Sequence, residues 1–115
     1  MRIAIIDDEE DWRFLSKSFL EALLHECEIF TELPPVELVA GFDIVSCDNK
    51  FNYENEWGFD FLKKLRLSGY RGVAVLYTNF PRDSDIRNAS RFSIEIASKD
   101  EPLYKFLASR GFLGV

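Results

Sequence analysis

Along this chain the spacing of apolar positions alternates between the short continuous runs of buried strands and the three-to-four-residue recurrence of helices. Arg2 to Ile6 is a short apolar run ending in acid, a buried strand. From Asp11 onward Trp12, Leu15, Phe19, Ala22 and Leu23 recur at helical spacing, while Arg13, Lys17, Glu21 and His25 form a polar row at steps of four, which predicts an amphipathic helix seated on the first set. Glu28 to Thr31 and Asp43 to Cys47 read as the next two strands. Gly58 to Leu67 predicts a helix with Phe61, Leu62 and Leu65 inward and Lys63, Lys64 and Arg66 outward, stopped by Gly69. Gly72 to Tyr77 has the unbroken apolar run of a parallel strand covered on both faces. Arg82 to Ser90 is a weaker helix, Ser93 to Ala97 a fifth strand, and Pro102 to Ser109 a last helix with Leu103, Phe106 and Leu107 inward and Pro102 in its first turn. Glu32 to Phe42 carries the second crossover but contains Pro34-Pro35, leaving only Val36 to Ala40 for a stunted helix. That shortening leaves one flank of the sheet, near Val36 and Leu38, open to a partner. No internal repeat or linker interrupts the series.

Composition narrows the class. At 115 residues the chain fits one domain, 1–115, with no room for an output domain. With 47% hydrophobic residues and eleven phenylalanines it is far from a disordered composition. Cys27 and Cys47 match no zinc spacing and are too few for a disulfide framework, so both read as reduced and packed. The N-terminus turns acidic after a short apolar run, which is neither a signal peptide nor a membrane span and implies a cytoplasmic protein with no membrane partner. A formal net charge of -6 opposes direct nucleic-acid binding. His25 lies in the polar row and is given no role.

Acidic residues gather where strands end, with Asp7-Asp8 after the first strand and Asp48 after the third. In a doubly wound sheet of order 2-1-3-4-5 those two ends are neighbours at the crevice where strand order reverses. Crowded carboxylates raise one another's proton affinity unless a cation neutralises them. Mg²⁺ suits such a site, since it binds through one or two carboxylates together with a phosphate. Thr78, ending the fourth strand, offers a hydroxyl, and Lys99, after the fifth, an ammonium. The set fits a transferring phosphoryl group, whose catalysis is mainly positioning and charge stabilisation. Taken singly the same residues have plainer readings: Asp7-Asp8 as helix-cap acids, Asp48 with Asn49 as a turn, Lys99 as a solvated lysine.

In order and at strand ends, these five positions resemble the receiver domains of two-component response regulators. Asp7 and Asp8 in Ile-Ile-Asp-Asp-Glu match the acidic pair, Asp48 in Asp-Ile-Val-Ser-Cys-Asp the phospho-acceptor, Thr78 in Val-Leu-Tyr-Thr the switch hydroxyl and Lys99 the active-site lysine. The resemblance covers almost the whole chain and implies an α/β, flavodoxin-like doubly wound five-stranded parallel sheet with a shortened second helix. It further implies that Asp48 takes a phosphoryl group from a histidine kinase or phosphotransfer protein. Mg²⁺ would then be held by Asp8, Asp48, Asp7 directly or through water, and the Lys50 carbonyl. Lys99 would pair with the phosphoryl oxygens and Thr78 would swing toward them. Such a protein signals to a downstream protein target by docking. It is not an enzyme beyond catalysing its own Mg²⁺-dependent phosphorylation and dephosphorylation.

Several positions depart from the family pattern. Asp100 follows Lys99 where proline with a cis bond is usual, Ile96 stands where many members carry Tyr or Phe, and Asn79 replaces a small residue. The loop after Asp48 lacks the common proline and runs about two residues longer. Phe80 and the loop aromatics are expected to act as a lid shielding an acyl phosphate from water. Phe51, Tyr53 and Trp57 could instead fold onto the core or form an exposed patch. Arg87, Arg91, Phe92 and Tyr104 lie near the region where the family builds its output surface. Two alternatives stay open: a degenerate receiver acting as a phosphorylation-independent interaction module, and a Mg²⁺-dependent phosphohydrolase with Asp7 as nucleophile. The second lacks the usual Asp-x-Asp.

Overall fold

A computed structural model describes residues 1–51 and 55–114. Five strands, β1 (Arg2–Ile6), β2 (Glu26–Phe30), β3 (Ile44–Cys47), β4 (Val73–Tyr77) and β5 (Ile94–Ala97), alternate with helices α1 (Glu10–Ala22), α2 (Val36–Val39), α3 (Gly58–Leu67), α4 (Asp83–Asn88) and α5 (Leu103–Ser109). All neighbouring strands are parallel and the order is β2-β1-β3-β4-β5, as the sequence pattern and the resemblance lead one to expect.

Alternation along the strands sorts the core onto two faces. Ala4, Ile6, Val45, Cys47 and Leu76 face Val39 of α2 and Phe61, Leu62 and Leu65 of α3. Ile3, Ile5, Val75 and Tyr77 face Leu20 of α1 and Leu103, Phe106 and Leu107 of α5. Helices on both faces explain why β1, β3 and β4 read as continuous apolar runs rather than alternating ones.

Helix α1 sits differently from its expected orientation. Its buried line is Ser16 and Leu20, with Trp12 half-buried, whereas Leu15, Phe19 and Leu23 are 45%, 41% and 49% exposed and Phe14 53%. The line Trp12-Ser16-Leu20 follows steps of four, and the small Ser16 permits close approach to the sheet. Trp12 meets Tyr77 edge-on at 6.2 Å, and Phe19 is drawn sideways onto the Tyr104 ring of α5 at 4.8 Å. The apolar stripe is wider than the helix–sheet contact, so part of it faces water.

Smaller corrections fall at element ends. β2 starts at Glu26, two residues before the expected start, because Glu26 and Glu28 of this edge strand point to solvent while Cys27 and Ile29 are half-buried. The fourth helix is shorter than expected: Arg82 precedes it, its amide donating to Asp85 Oδ2 at 2.9 Å and its carbonyl accepting the Asp85 amide at 2.9 Å, and Ala89–Phe92 tightens into a 3-10 turn before Ser93 in left-handed conformation. The second helix is the single turn that Pro34-Pro35 imposed, with Val39 fully buried and Leu38 59% exposed. Gly69 closes α3 with φ at +102°, a backbone that favours glycine, its N–H donating to the Arg66 carbonyl at 3.1 Å.

Arg66 does not project outward as expected. Its guanidinium donates to the carbonyls of Tyr70 and Gly72, leading into β4, and of Phe92 and Ser93, leading into β5, at 2.8–2.9 Å. It ties together the two chain segments that enter the sheet at its N-terminal edge.

Candidate functional site

The strand register fixes where the chemistry collects. Ile6 lies opposite Cys47, Cys47 opposite Leu76, and Tyr77 opposite Ala97, so the residues after each strand share one edge. One further ladder step secures them: Asp48 N–H donates to the Ile6 carbonyl at 2.9 Å and Thr78 N–H to that of Ala97 at 2.9 Å.

Lys99 is the hub. Its buried ammonium lies 2.8 Å from Asp7 Oδ2, 3.1 Å from Asp48 Oδ2 and 3.8 Å from Glu9 Oε1, over the Trp12 ring at 5.5 Å from its centroid. Asp7 Oδ1 accepts the Glu9 amide at 2.8 Å, and Asp48 Oδ1 accepts the Asn49 amide at 2.7 Å. Oxygens of Asp7, Asp8, Glu9 and Asp48 all lie within 4.8 Å of one another. The structure thus brings together Asp7, Asp8, Asp48 and Lys99 and adds Glu9, whose signal was its place in the acidic run Asp-Asp-Glu-Glu. This donor set, hard oxygens crowded around one ammonium, fits Mg²⁺.

Electrostatics agree with the crowding. Burial pushes Asp7 up to about 6, against the pull of Lys99. Burial would lower Lys99, but the hydrogen bonds and charges of Asp7 and Asp48 outweigh it and hold the ammonium above its ordinary value. Because folded Asp7 holds its proton more tightly than the unfolded chain does, this group favours folding most below its ordinary 3.8. That contribution fades as pH rises through about 6. Asp7→Asn removes the titration, so in metal-free protein its stability advantage over wild type should grow between pH 4 and pH 7, by up to about 3 kcal/mol. Denaturant midpoints of both proteins in chelator check it; a gap constant with pH would refute the burial cost.

Thr78 is buried at the same edge, but its hydroxyl accepts the Phe80 amide at 3.1 Å and makes no hydrogen bond to Asp48 or Lys99. Lys50 is exposed, beside Phe51 and Trp57. Phe51 is buried in the core cluster, Trp57 is half-buried with the Arg82 guanidinium 4.6 Å from its ring centroid, and Tyr53 lies outside the described residues. Phe80 is 72% exposed, so the shielding expected of it is not seen.

Two asparagines missed as site residues organise the surroundings. Asn79 Oδ1 accepts both the Lys99 amide at 2.8 Å and the Ser98 hydroxyl at 3.0 Å, and Ser98 Oγ accepts the Asp100 amide at 3.1 Å. This is how the Lys99 loop is held with Asp100 in it and with all described peptide bonds trans. Asn49 is fully buried beside Asp48. Its Nδ2 donates to Asp85 Oδ2 at 2.9 Å and to the Phe80 carbonyl at 3.0 Å, and its Oδ1 accepts the Phe59 amide at 3.1 Å. Asp85 is gripped in turn by Arg82, which also reaches Asp60 at 3.1 Å. A polar chain therefore runs from Asp48 to the start of α4. Ile96, half-buried against the core on that side, has no polar group to join it.

No protein-family model matches the chain, and no curated protein matches it by sequence. Solved structures do match in fold. A receiver domain of Methanospirillum hungatei superposes with a TM-score of 0.81 at 18% identity, over 94% of this chain and 88% of that one. A chemotaxis protein of Vibrio cholerae gives 0.77 at 18% identity, over 94% and 96%. A Burkholderia pseudomallei response regulator with a phosphorylated aspartic acid and a calcium ion gives 0.75 at 15% identity, over 93% and 64%. The fold is that of receiver domains.

Proposed function

We propose that this chain is a response-regulator receiver whose acceptor is Asp48, phosphorylated by a histidine kinase or phosphotransfer protein and signalling to a downstream protein by docking. The observation that carries this reading is Lys99, buried and shared between Asp7 and Asp48 at 2.8 and 3.1 Å. Likeness of fold to receivers, one of them bearing a phosphorylated aspartic acid, supports it. An Asp48 carboxylate oxygen attacks the phosphorus of the phosphohistidine; the P–N bond breaks and the imidazole leaves with the electron pair. Lys99, already in hydrogen-bond range of Asp48 Oδ2, moves its donors onto the phosphoryl oxygens. Thr78 gives up the Phe80 amide to follow. Bound by Asp8, Asp48, Asp7 and the Lys50 carbonyl, Mg²⁺ would neutralise charge on the transferring group. In this reading the chain acts on itself and on no external substrate, and it works in the cytoplasm. Among the described residues no helix is long and apolar enough to cross a membrane.

The test is chemical. Protein incubated with Mg²⁺ and acetyl phosphate should gain one adduct of about 80 Da, the mass of a phosphoryl group on a carboxylate nucleophile. Borohydride reduction of the acyl phosphate should place it at residue 48. Modification elsewhere, or none with either acetyl phosphate or a phosphohistidine protein as donor, overturns the proposal in favour of a phosphorylation-independent module.

A further inference from the structure

Charge is distributed unevenly along this acidic chain. Residues 58–92 hold seven of the fourteen lysines and arginines but three of the twenty acids, a net +4 in a chain of net -6. Three of the seven are already satisfied: Arg66 by four carbonyls, Lys64 by Glu56 at 2.7 Å, and Arg82 by Asp85 and Asp60. Lys63 of α3 and Arg91 of the 3-10 turn differ from these three and share one aromatic ring. Among the described residues neither faces a carboxylate at ion-pair distance; both stand over the Phe92 ring, at 5.6 and 5.8 Å from its centroid. Phe92, half-buried, meets the buried Phe59 edge-on at 6.5 Å, so its ring forms an apolar floor backed by the core. Lys63, Asn88 and Arg91 stand around that floor in an open groove of about 380 Å³ between α3 and α4, which Asp60 and Asp85 also line, both paired with Arg82.

We infer that this groove is a docking site for an acidic peptide segment of a protein partner, an apolar side chain of the peptide resting against the edge of Phe92 and its carboxylates pairing with Lys63 and Arg91. Charge complementarity selects the occupant. The groove is the cationic face of an anionic molecule, so it attracts acids while the rest of the surface repels them. The aromatic floor favours a peptide over a bare anion. Docking here needs no phosphoryl group, so it stands apart from the receiver reading. The groove wall is nonetheless the same Arg82-Asp85 pair that Asn49 ties to the acceptor.

The experiment uses the full chain, unphosphorylated, and a fluorescein-labelled hexapeptide of sequence Asp-Phe-Glu-Asp-Leu-Glu, with binding read by anisotropy and sites by amide chemical shifts. We expect saturable binding that weakens with salt, with shifts clustered at Lys63, Arg91 and Phe92. The pair Lys63→Glu and Arg91→Glu should weaken it about tenfold or more, a loss of electrostatic complementarity, and the neutral pair Lys63→Gln and Arg91→Gln by an intermediate factor. An equal charge change at exposed positions elsewhere, Arg71→Glu with Lys105→Glu, should leave binding intact. Absence of binding, equal loss in the control pair, or shifts centred on α1 would overturn the inference. So would self-association of the free chain that the Lys63→Glu and Arg91→Glu pair abolishes, since a second copy would then be the occupant.

Discussion

Asp48→Asn should abolish the phosphoryl adduct completely while leaving a folded protein. The amide has no anionic oxygen to attack phosphorus, and no other carboxylate of the cluster stands where Asp48 does, within reach of Lys99 and at the end of β3. Structurally the exchange is mild. The Asn oxygen can still accept the Asn49 amide now bonded at 2.7 Å, and Lys99 keeps Asp7 at 2.8 Å. One negative charge leaves a crowded group of four, so metal-free stability should stay level or rise by about 1 kcal/mol. Added Mg²⁺ should raise the denaturant midpoint of the wild type and raise that of the variant less, because one of the proposed ligands is gone. A persistent adduct in Asp48→Asn would move the acceptor elsewhere, with Asp7 the next to test.

Gly58→Ala should damage the fold itself. A Cβ at this first residue of α3 would lie 1.7 Å from the Asp48 carbonyl oxygen and 2.8 Å from its carbon. Both are backbone atoms that cannot rotate away. The Gly58 amide donates to the Asn49 carbonyl at 2.7 Å and the next amide, of Phe59, to Asn49 Oδ1, so the helix start and the loop after β3 are locked together at the point of the clash. Relief requires pushing α3 off the sheet or lifting Asp48 out of register with Lys99. The expected cost is at least about 3 kcal/mol, at the upper end of overpacking penalties, read from chemical denaturation. Whatever fraction still folds should phosphorylate more slowly. A loss below 1 kcal/mol would mean that the approach of α3 to Asp48 is looser than described.

How much of this was legible beforehand depends on the kind of information each element carries. β4 declared itself through Val-Ala-Val-Leu-Tyr, and α3 through its inward Phe61, Leu62 and Leu65 and its terminal Gly69, because burial on both faces and a left-handed cap each leave a local signature. Asp7, Asp8, Asp48 and Lys99 were legible because each lies within two residues of a strand end, so strand order brings them to one edge. Helix α1 was misjudged for the converse reason. Periodicity counts apolar residues but does not say how wide a stripe the sheet can cover, and here Ser16 rather than Leu15 or Phe19 faces inward. Asn49, Asn79 and Asp85 were invisible as site residues, since an amide in a loop or an acid in a first helical turn looks alike whether it meets water or a buried partner far along the chain.

The Arg66 guanidinium, bonded to carbonyls on the approaches to both β4 and β5, has a mechanical consequence. It acts as a pin through one end of a pair of levers. With their N-terminal approaches fastened, any relative movement of these strands is largest at the opposite end, where Thr78 and Lys99 sit and where the Thr78 amide bond to the Ala97 carbonyl must give, so a small displacement there becomes a rotation about a fixed pivot.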